Sequence, residues 1–129
     1  MLLSEYLSDL TRAIDEYSKT GLIISSEVKI DFRTEKIGLI KSTIVFLNES
    51  KPLSTEYLDL RHKIEKLTYS FHYQDKNGNL KFSYDNASHK PPLGFKDHKH
   101  VDGDILQSKI PKLRDVLEEI ISSFLMMHE

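Results

Sequence analysis

The chain has 129 residues, of which 29% are charged and 39% hydrophobic, and its formal net charge is -2. This length fits one domain with one site or partner surface, and this composition predicts a folded protein. The near-neutral charge excludes a general attraction to nucleic acid or anionic membranes, so any phosphate contact must come from a local patch. The absence of cysteine excludes disulfides, thiol catalysis and thiolate metal sites.

The amino-terminal stretch MLLSEYLSDL does not have the pattern of a targeting segment. It lacks a basic beginning, and Glu5 and Asp9 interrupt its apolar residues. No stretch of the chain approaches the roughly 20 apolar residues that a membrane-spanning helix needs. We therefore expect a cytoplasmic protein with no membrane partner.

The first residues have the spacing of an amphipathic helix. Apolar side chains recur every three or four residues, at Leu3, Tyr6, Leu7, Leu10, Ile14 and Tyr17. Gly21 follows as a C-terminal cap. The spacing predicts a helix over residues 2–19.

The period then changes to two, which predicts strands. Val28, Ile30 and Phe32 alternate with charged residues, and IGLIKSTIVFL follows as a second strand rich in β-branched residues. LSTEYLDL predicts a third strand, although its alternation is imperfect. IEKLTYSFHYQ and NLKFSY predict a hairpin, because the Asn77-Gly78 pair between them favours a type I′ turn.

This hairpin predicts one apolar face and one polar face. The inward side chains are Leu67, Tyr69, Phe71, Tyr73, Leu80, Phe82 and Tyr84. A two-residue loop places His72 opposite Ser83, and a four-residue loop places it opposite Lys81. Both registers have the same side-chain parity. The polar face therefore carries Lys66, Ser70, His72, Lys81, Ser83 and Asp85.

The last helix is predicted from an apolar stripe that begins after Pro111. The stripe consists of Leu113, Val116, Leu117, Ile120, Ile121, Phe124 and Leu125. We interpret Met126 and Met127 as fraying or packing residues and His128 as a disordered terminal residue. The sequence as a whole predicts a single α+β domain over residues 1–129. It consists of an antiparallel meander sheet of about five strands, with an N-terminal and a C-terminal helix packed on one face.

The segment YDNASHKPPLGFKDHKH contains three of the six histidines. We expect it to return over the polar face of the sheet and bring its histidines to His72. Metal-free cleavage of RNA uses such groups, because one imidazole takes the 2′-OH proton, another protonates the leaving oxygen, and a cation holds the phosphate. The candidate catalytic residues are His72, His89, His98 and His100, and the candidate substrate-binding residues are Lys81, Tyr84, Asp85, Asn86 and Lys90. For His72 alone, a merely solvated side chain is the simpler interpretation.

A metal site is the less favoured alternative for the same segment. His98, His100 and Asp102 have the HxHxD spacing, and alternate residues of an extended segment point to one side. Two imidazoles and a carboxylate can bind zinc or another divalent ion, and His89 can complete the set. The leading hypothesis includes no metal and no cofactor.

Residues 69–100 also resemble a known family. YSFHYQDKNGNLKFSYDNASHKPPLGFKDHKH, with IISSEV before it and an amphipathic helix after it, is similar to the TumE-like family of toxin components from toxin-antitoxin systems. Phe71 and Ser83 stand where that family usually has Tyr and Arg, and Lys90 replaces one of its histidines but keeps a cation. The resemblance implies a type II toxin whose partner is a cognate antitoxin, often with a helix-turn-helix domain.

The leading functional hypothesis is a type II toxin that acts on RNA or another nucleic acid as a metal-independent ribonuclease. One alternative is a non-catalytic protein-binding module of a toxin-antitoxin or regulatory complex, in which a terminal helix docks the partner. Another is a metal-dependent hydrolase that uses the HxHxD segment. Homodimerisation through an edge strand or the last helix is a further hypothesis.

Overall fold

The computed structural model describes residues 1–125, and the predictions for Met126, Met127 and His128 lie outside that range. An N-terminal helix, α1, is followed by seven strands, a second helix, α2, and a π-helical turn. Their bounds are α1 Leu3–Ser18, β1 Ile23–Phe32, β2 Ile37–Phe46, β3 Lys51–Asp59, β4 Glu65–Gln74, β5 Leu80–Asp85, β6 His98–Val101, β7 Asp104–Gln107, α2 Leu113–Ile120 and the turn Ile121–Leu125. The strands form one antiparallel sheet in the order of the chain. The α+β meander is confirmed.

The sheet has seven strands rather than five. The two additional strands, β6 and β7, lie in a segment for which the sequence predicts a loop. Strands β6 and β7 are joined by a two-residue turn in which Asp102 has φ 51° and Gly103 has φ 80°. Positive φ at both central residues is typical of a type I′ turn, whose favoured sequence is Asp-Gly. The Asp-Gly pair between HKHV and DILQ was therefore the overlooked signal for this hairpin.

Both helices pack on one face of the sheet, as predicted. Helix α1 lies within one residue of its predicted ends and contacts β1, β2 and α2. The core between the helices and the sheet includes Leu3, Ile14, Ile40, Ile44, Phe71, Tyr73, Phe82, Leu117 and Ile120. The opposite face, called here the outer face, is covered by neither helix.

The β4–β5 hairpin has one of the two registers left open by the sequence, but neither of the two predicted loop lengths. The backbone N–H of Asp75 donates to Asn79 at 2.9 Å, which leaves three residues in the loop, and Gly78 has φ 85°. An irregularity at Lys81 then restores the pairing of His72 with Ser83 that a two-residue loop predicts. The extra residue moves Leu80 to the face opposite Phe82, and its side chain is 49% exposed. Its predicted inward position is therefore wrong.

A second bulge reverses the start of β4. Tyr57 pairs with Thr68, but Leu58 pairs with Lys66, so Leu67 is an extra residue. One inserted residue moves the preceding side chains to the other face. Lys66, predicted on the polar face, is buried on the helix-facing side, and Leu67, predicted inward, is 38% exposed. Both predictions are wrong for this reason.

Candidate functional site

The strand register places polar side chains in two neighbouring rows on the outer face. In the first row, Asp85 of β5 pairs with Ser70 of β4 and His98 of β6. In the second row, Ser83 pairs with His72 and His100. Because alternate residues of a strand share a face, Asp85 lies beside both histidines of β6.

The connection between β5 and β6, residues 86–97, folds back against β6 and brings His89 to His98 and His100 rather than to His72. His89 from this connection places its ring centroid 4.5 Å from that of His98 and 5.4 Å from that of His100. Phe95 also lies near His98, with its ring centroid 6.4 Å away. His98 is consequently only 1% exposed although it points away from the helices.

Asn86 fixes the beginning of this connection. Its side-chain Oδ1 accepts a hydrogen bond from the backbone N–H of Tyr69 at 3.1 Å, and its Nδ2 donates to the carbonyl of Leu67 at 3.1 Å. The amide thus continues the ladder beside the β4 bulge, where a backbone strand would otherwise be needed. The Tyr69 hydroxyl donates to Asp97 at 2.8 Å, and burial together with this bond raises the pKa of Tyr69.

Four side chains meet here, and Asp85 contacts two of the three histidines. Its Oδ1 is 3.1 Å from His98 Nδ1, and its Oδ2 is 3.2 Å from His100 Nε2. One donor atom from each of Asp85, His89, His98 and His100 lies within 4.8 Å of every other. Asp85 and His100 keep 20% and 26% of their side-chain surface exposed, so the group, called here the histidine cluster, opens to solvent.

The protonation of His98 can be assigned from its neighbours. Its Nε2 is 3.0 Å from the carbonyl oxygen of Ala87, which can only accept, so Nε2 carries a hydrogen. Its Nδ1 is buried without a hydrogen-bond partner. The 3.1 Å contact of Nδ1 with Asp85 Oδ1 is close in distance but is not aligned as a hydrogen bond. One imidazole nitrogen is therefore held by the backbone, and the other faces the cluster.

Three of the four histidines predicted as catalytic come together, and His72 does not join them. His72 is half-buried on β4, and Ser83 separates it from His100. Two strand spacings place it about 10 Å from His100. It belongs to the same outer face but not to the histidine cluster.

The predicted substrate-binding residues are dispersed. Lys90 is exposed beside His89, whereas Lys81 lies 3.8 Å from Asp75 near the hairpin turn. Tyr84 lies on the helix-facing side, where its hydroxyl donates to Glu119 at 2.5 Å, and burial and this bond raise its pKa. Asp85 is the one of the five that enters the cluster.

The HxHxD spacing does not assemble as a unit. His98 and His100 are neighbours in the cluster, but Asp102 occupies the β6–β7 turn and is not part of the group. Asp85 and His89 take the places that the spacing had assigned to Asp102 and an optional third histidine. Spacing along β6 could not reveal this carboxylate, because Asp85 is brought in by the pairing of β5 with β6.

A cavity of about 260 Å³ adjoins the cluster. The β5–β6 connection forms most of its wall, and its lining includes His89, His98, Phe95, Lys96 and Leu93. Lys99, between the two β6 histidines, points to the helix-facing side and contacts Glu119 at 2.5 Å. The cations nearest the cavity are therefore supplied by the connection and not by β6.

The chain matches a known protein family. The family model described as Toxin TumE matches residues 10–124, which include the whole histidine cluster. No curated protein and no solved structure matches the chain. Within residues 1–125, no helix is long and apolar enough to cross a membrane. Because the match extends over nearly the full length, this chain belongs to the TumE toxin family.

Proposed function

We propose that this toxin belongs to a type II toxin-antitoxin system and that it cleaves RNA with its histidine cluster. The family match supports a toxin component. The observation that carries the proposed reaction is the convergence of three imidazoles on the Asp85 carboxylate in a group open to solvent. Imidazoles are suited to proton transfer near neutral pH, which cleavage of a phosphodiester requires.

The cluster provides groups for both proton transfers. In cleavage by the neighbouring hydroxyl, the 2′-oxygen forms a bond to phosphorus and loses its proton to a base. The bond to the 5′-oxygen breaks, and that oxygen takes a proton from an acid, which leaves a 2′,3′-cyclic phosphate and a 5′-hydroxyl. His89 and His100 are both partly exposed, so we assign them these two roles.

The two remaining members of the cluster position these groups. Asp85 faces Nε2 of His100 at 3.2 Å and limits the orientations of that ring. His98 is too buried to touch a substrate and acts as a positioning residue between Asp85 and the Ala87 carbonyl. Lys90 and Lys96, on the connection beside the cluster, supply positive charge for the phosphate.

A toxin that acts on cellular RNA must be neutralised in the cell that makes it. We therefore propose a cognate antitoxin as its partner, and the resemblance implies a helix-turn-helix DNA-binding domain in that antitoxin. Co-expression of the neighbouring gene should restore growth and yield a complex that co-purifies with the toxin. Homodimerisation stays a prediction, for which β1 and β7 are the edge strands.

The test is growth arrest on induced expression, followed by analysis of RNA integrity. We expect His89→Ala and His100→Gln to abolish arrest, because loss of a proton-transfer group lowers such rates by about 10²- to 10⁴-fold. His62→Ala is the matched control, since His62 is exposed in the β3–β4 turn. His72→Ala tests whether the neighbouring row contributes to substrate binding.

Each variant must keep the circular dichroism spectrum of the wild type. Purified wild-type protein should cleave RNA and leave cyclic phosphate ends, and folded His89→Ala should not. RNA that stays intact with wild-type protein while growth still stops would refute the proposed reaction and leave the toxin assignment in place.

A further inference from the structure

We propose that Asp85, His89, His98 and His100 bind one divalent transition-metal ion of the zinc type. Only the catalytic role of this ion rests on the proposed function, because the binding geometry does not depend on any property of RNA. In the metal-bound state His89 and His100 would be ligands rather than the proton-transfer groups assigned above, so the ion would change the reaction from the metal-free route predicted from the sequence to a metal-assisted one.

The spacing of the donor atoms is close to that of a metal site. Nitrogen and oxygen donors bind zinc at about 2.0 to 2.2 Å, so two donors on one ion lie no more than about 4.4 Å apart. The four donor atoms here lie within 4.8 Å of one another. Side-chain shifts of a few tenths of an ångström would bring all four onto one ion.

The buried Nδ1 of His98 points independently to a ligand at this position. His98 is 1% exposed, and its Nδ1 has no hydrogen-bond partner. In the neutral ring Nε2 carries the hydrogen and Nδ1 has a lone pair, and the electron-rich Asp85 Oδ1 lies 3.1 Å from Nδ1 but off the axis of that lone pair. Two acceptors at this distance repel unless a cation lies between or beside them. A metal ion coordinated by both atoms removes that repulsion.

The backbone of Ala87 orients two of the proposed ligands. Its N–H donates to Asp85 Oδ1 at 3.0 Å, and its carbonyl accepts from His98 Nε2 at 3.0 Å. Metal-binding histidines commonly donate their second N–H to a carbonyl or carboxylate, which fixes the ring and leaves the other nitrogen for the metal. His98 has this arrangement. Within residues 1–125, no lysine or arginine forms an ion pair with Asp85.

The donor set selects the class of metal. Three imidazoles and one carboxylate favour zinc and neighbouring first-row transition ions over magnesium and calcium, which prefer oxygen ligands. Because four protein ligands fill a tetrahedral site, a phosphate oxygen could reach the ion only as a fifth ligand, from the partly exposed side at His100 and Asp85. A bound ion would there act as a Lewis acid for the phosphate.

The experiment measures metal content and affinity on the full-length chain without a histidine tag. Protein purified from zinc-supplemented culture is analysed for metals, and chelator-treated protein is titrated with Zn²⁺ by calorimetry and with Co²⁺ by visible absorption. We expect about one ion per chain and the absorption of a four-coordinate cobalt site. If a proton rather than a metal ion lies between His98 and Asp85, the protein should bind neither Zn²⁺ nor Co²⁺. That result would overturn the proposal.

Two pairs of variants identify the ligands. Asp85→Asn and His89→Ala should weaken Zn²⁺ binding by on the order of 100-fold or more. Asp102→Asn and His62→Ala make the same chemical changes outside the cluster and should leave the affinity unchanged. His89 lies on the connection and not in a strand, so His89→Ala can be assayed even if Asp85→Asn fails to fold. Equal affinity in all four variants would mean adventitious binding elsewhere and would overturn the proposal.

The same protein separates this proposal from the proposed function. Zinc bound by the cluster with no cleavage of RNA would reject the ribonuclease function and retain the metal site. Cleavage of RNA by protein that binds no metal, and that continues in excess chelator, would reject the metal site and retain the ribonuclease.

Discussion

At the residue scale, the β4 bulge gives the core a buried ion pair. Glu56 and Lys66 retain 1% and 7% of their side-chain surface, and Lys66 Nζ is 2.9 Å from Glu56 Oε1. The Tyr6 hydroxyl donates to the same oxygen at 2.7 Å, and Lys66 also donates to the carbonyl of Pro111 at 2.7 Å. Burial and the neighbouring Glu56 carboxylate raise the pKa of Tyr6. Each charge is desolvated, so each depends strongly on its partner.

We predict that Lys66→Met lowers the free energy of unfolding by about 3 to 5 kcal/mol, because it leaves the Glu56 carboxylate buried without a counter-ion. Urea denaturation at neutral pH measures the loss. The double variant Glu56→Gln/Lys66→Met should recover most of it, since no buried charge remains. A double variant as unstable as the single one would show that the packing of the lysine stem, rather than charge compensation, is what matters.

At the element scale, a glycine in β2 sets the approach of α1 to the sheet. A Cβ atom at Gly38 would lie 2.5 Å from the carbonyl oxygen of Asp31 and 2.5 Å from Cδ2 of Leu3. Leu3 is fully buried, and its backbone N–H donates to the carbonyl of Glu35 at 2.8 Å. The first turn of α1 is therefore fixed against β1 and β2 at a point that only glycine allows.

We predict that Gly38→Ala costs about 1 to 3 kcal/mol of unfolding free energy, because the extra methyl meets backbone on one side and a buried leucine on the other. Gly94→Ala is the matched control, since a Cβ atom there meets nothing within 4 Å. Thermal denaturation followed by circular dichroism compares the two. Equal stability of the two variants would contradict this close approach of α1 to β2.

At the scale of the whole molecule, tyrosine hydroxyls join elements that are distant in the chain. Tyr17 of α1 donates to Glu118 of α2 at 2.7 Å, and Tyr84 of β5 donates to Glu119 at 2.5 Å. The pKa of both tyrosines is raised, mainly by burial and by the bond to the carboxylate. Arg114 beside Tyr17 and Lys99 beside Tyr84 act in the opposite direction but do not cancel the effect.

These shifts predict that stability falls in alkaline solution. The unfolded chain releases its tyrosine protons near pH 10, whereas the folded chain holds them to a higher pH. Above about pH 10 the unfolded state therefore binds fewer protons than the native state. The contribution of these tyrosines to the unfolding free energy is complete below about pH 10 and is lost as the pH rises above it. Melting temperatures between about pH 8 and pH 11 should show this decrease. A Tyr17→Phe/Tyr84→Phe variant should show a shallower decline, and an unchanged decline would contradict the assignment.

Local spacing predicted much of this molecule from the sequence alone. The helical stripe of α1 and the alternation in the first five strands follow from contacts between near neighbours in the chain, whereas the sequence left His72 opposite either Ser83 or Lys81. The β6–β7 hairpin was missed because a histidine-rich, proline-flanked segment has little apolar alternation. The two bulges were missed because one extra residue in a strand does not change the amino-acid composition of that strand in a recognisable way.

The α+β class, the helix-covered face of the sheet, the resemblance to TumE and the histidine-rich segment could all be predicted from the amino-acid sequence. Which of the residues in that segment meet could be seen only in the folded chain. The pairing of β5 with β6 brings Asp85 to His98 and His100, and the folded connection adds His89 while it leaves His72 and Asp102 outside. Periodicity reports which face a side chain takes along one strand, whereas proximity between strands depends on pairing and on the path of the connection, which local sequence does not encode.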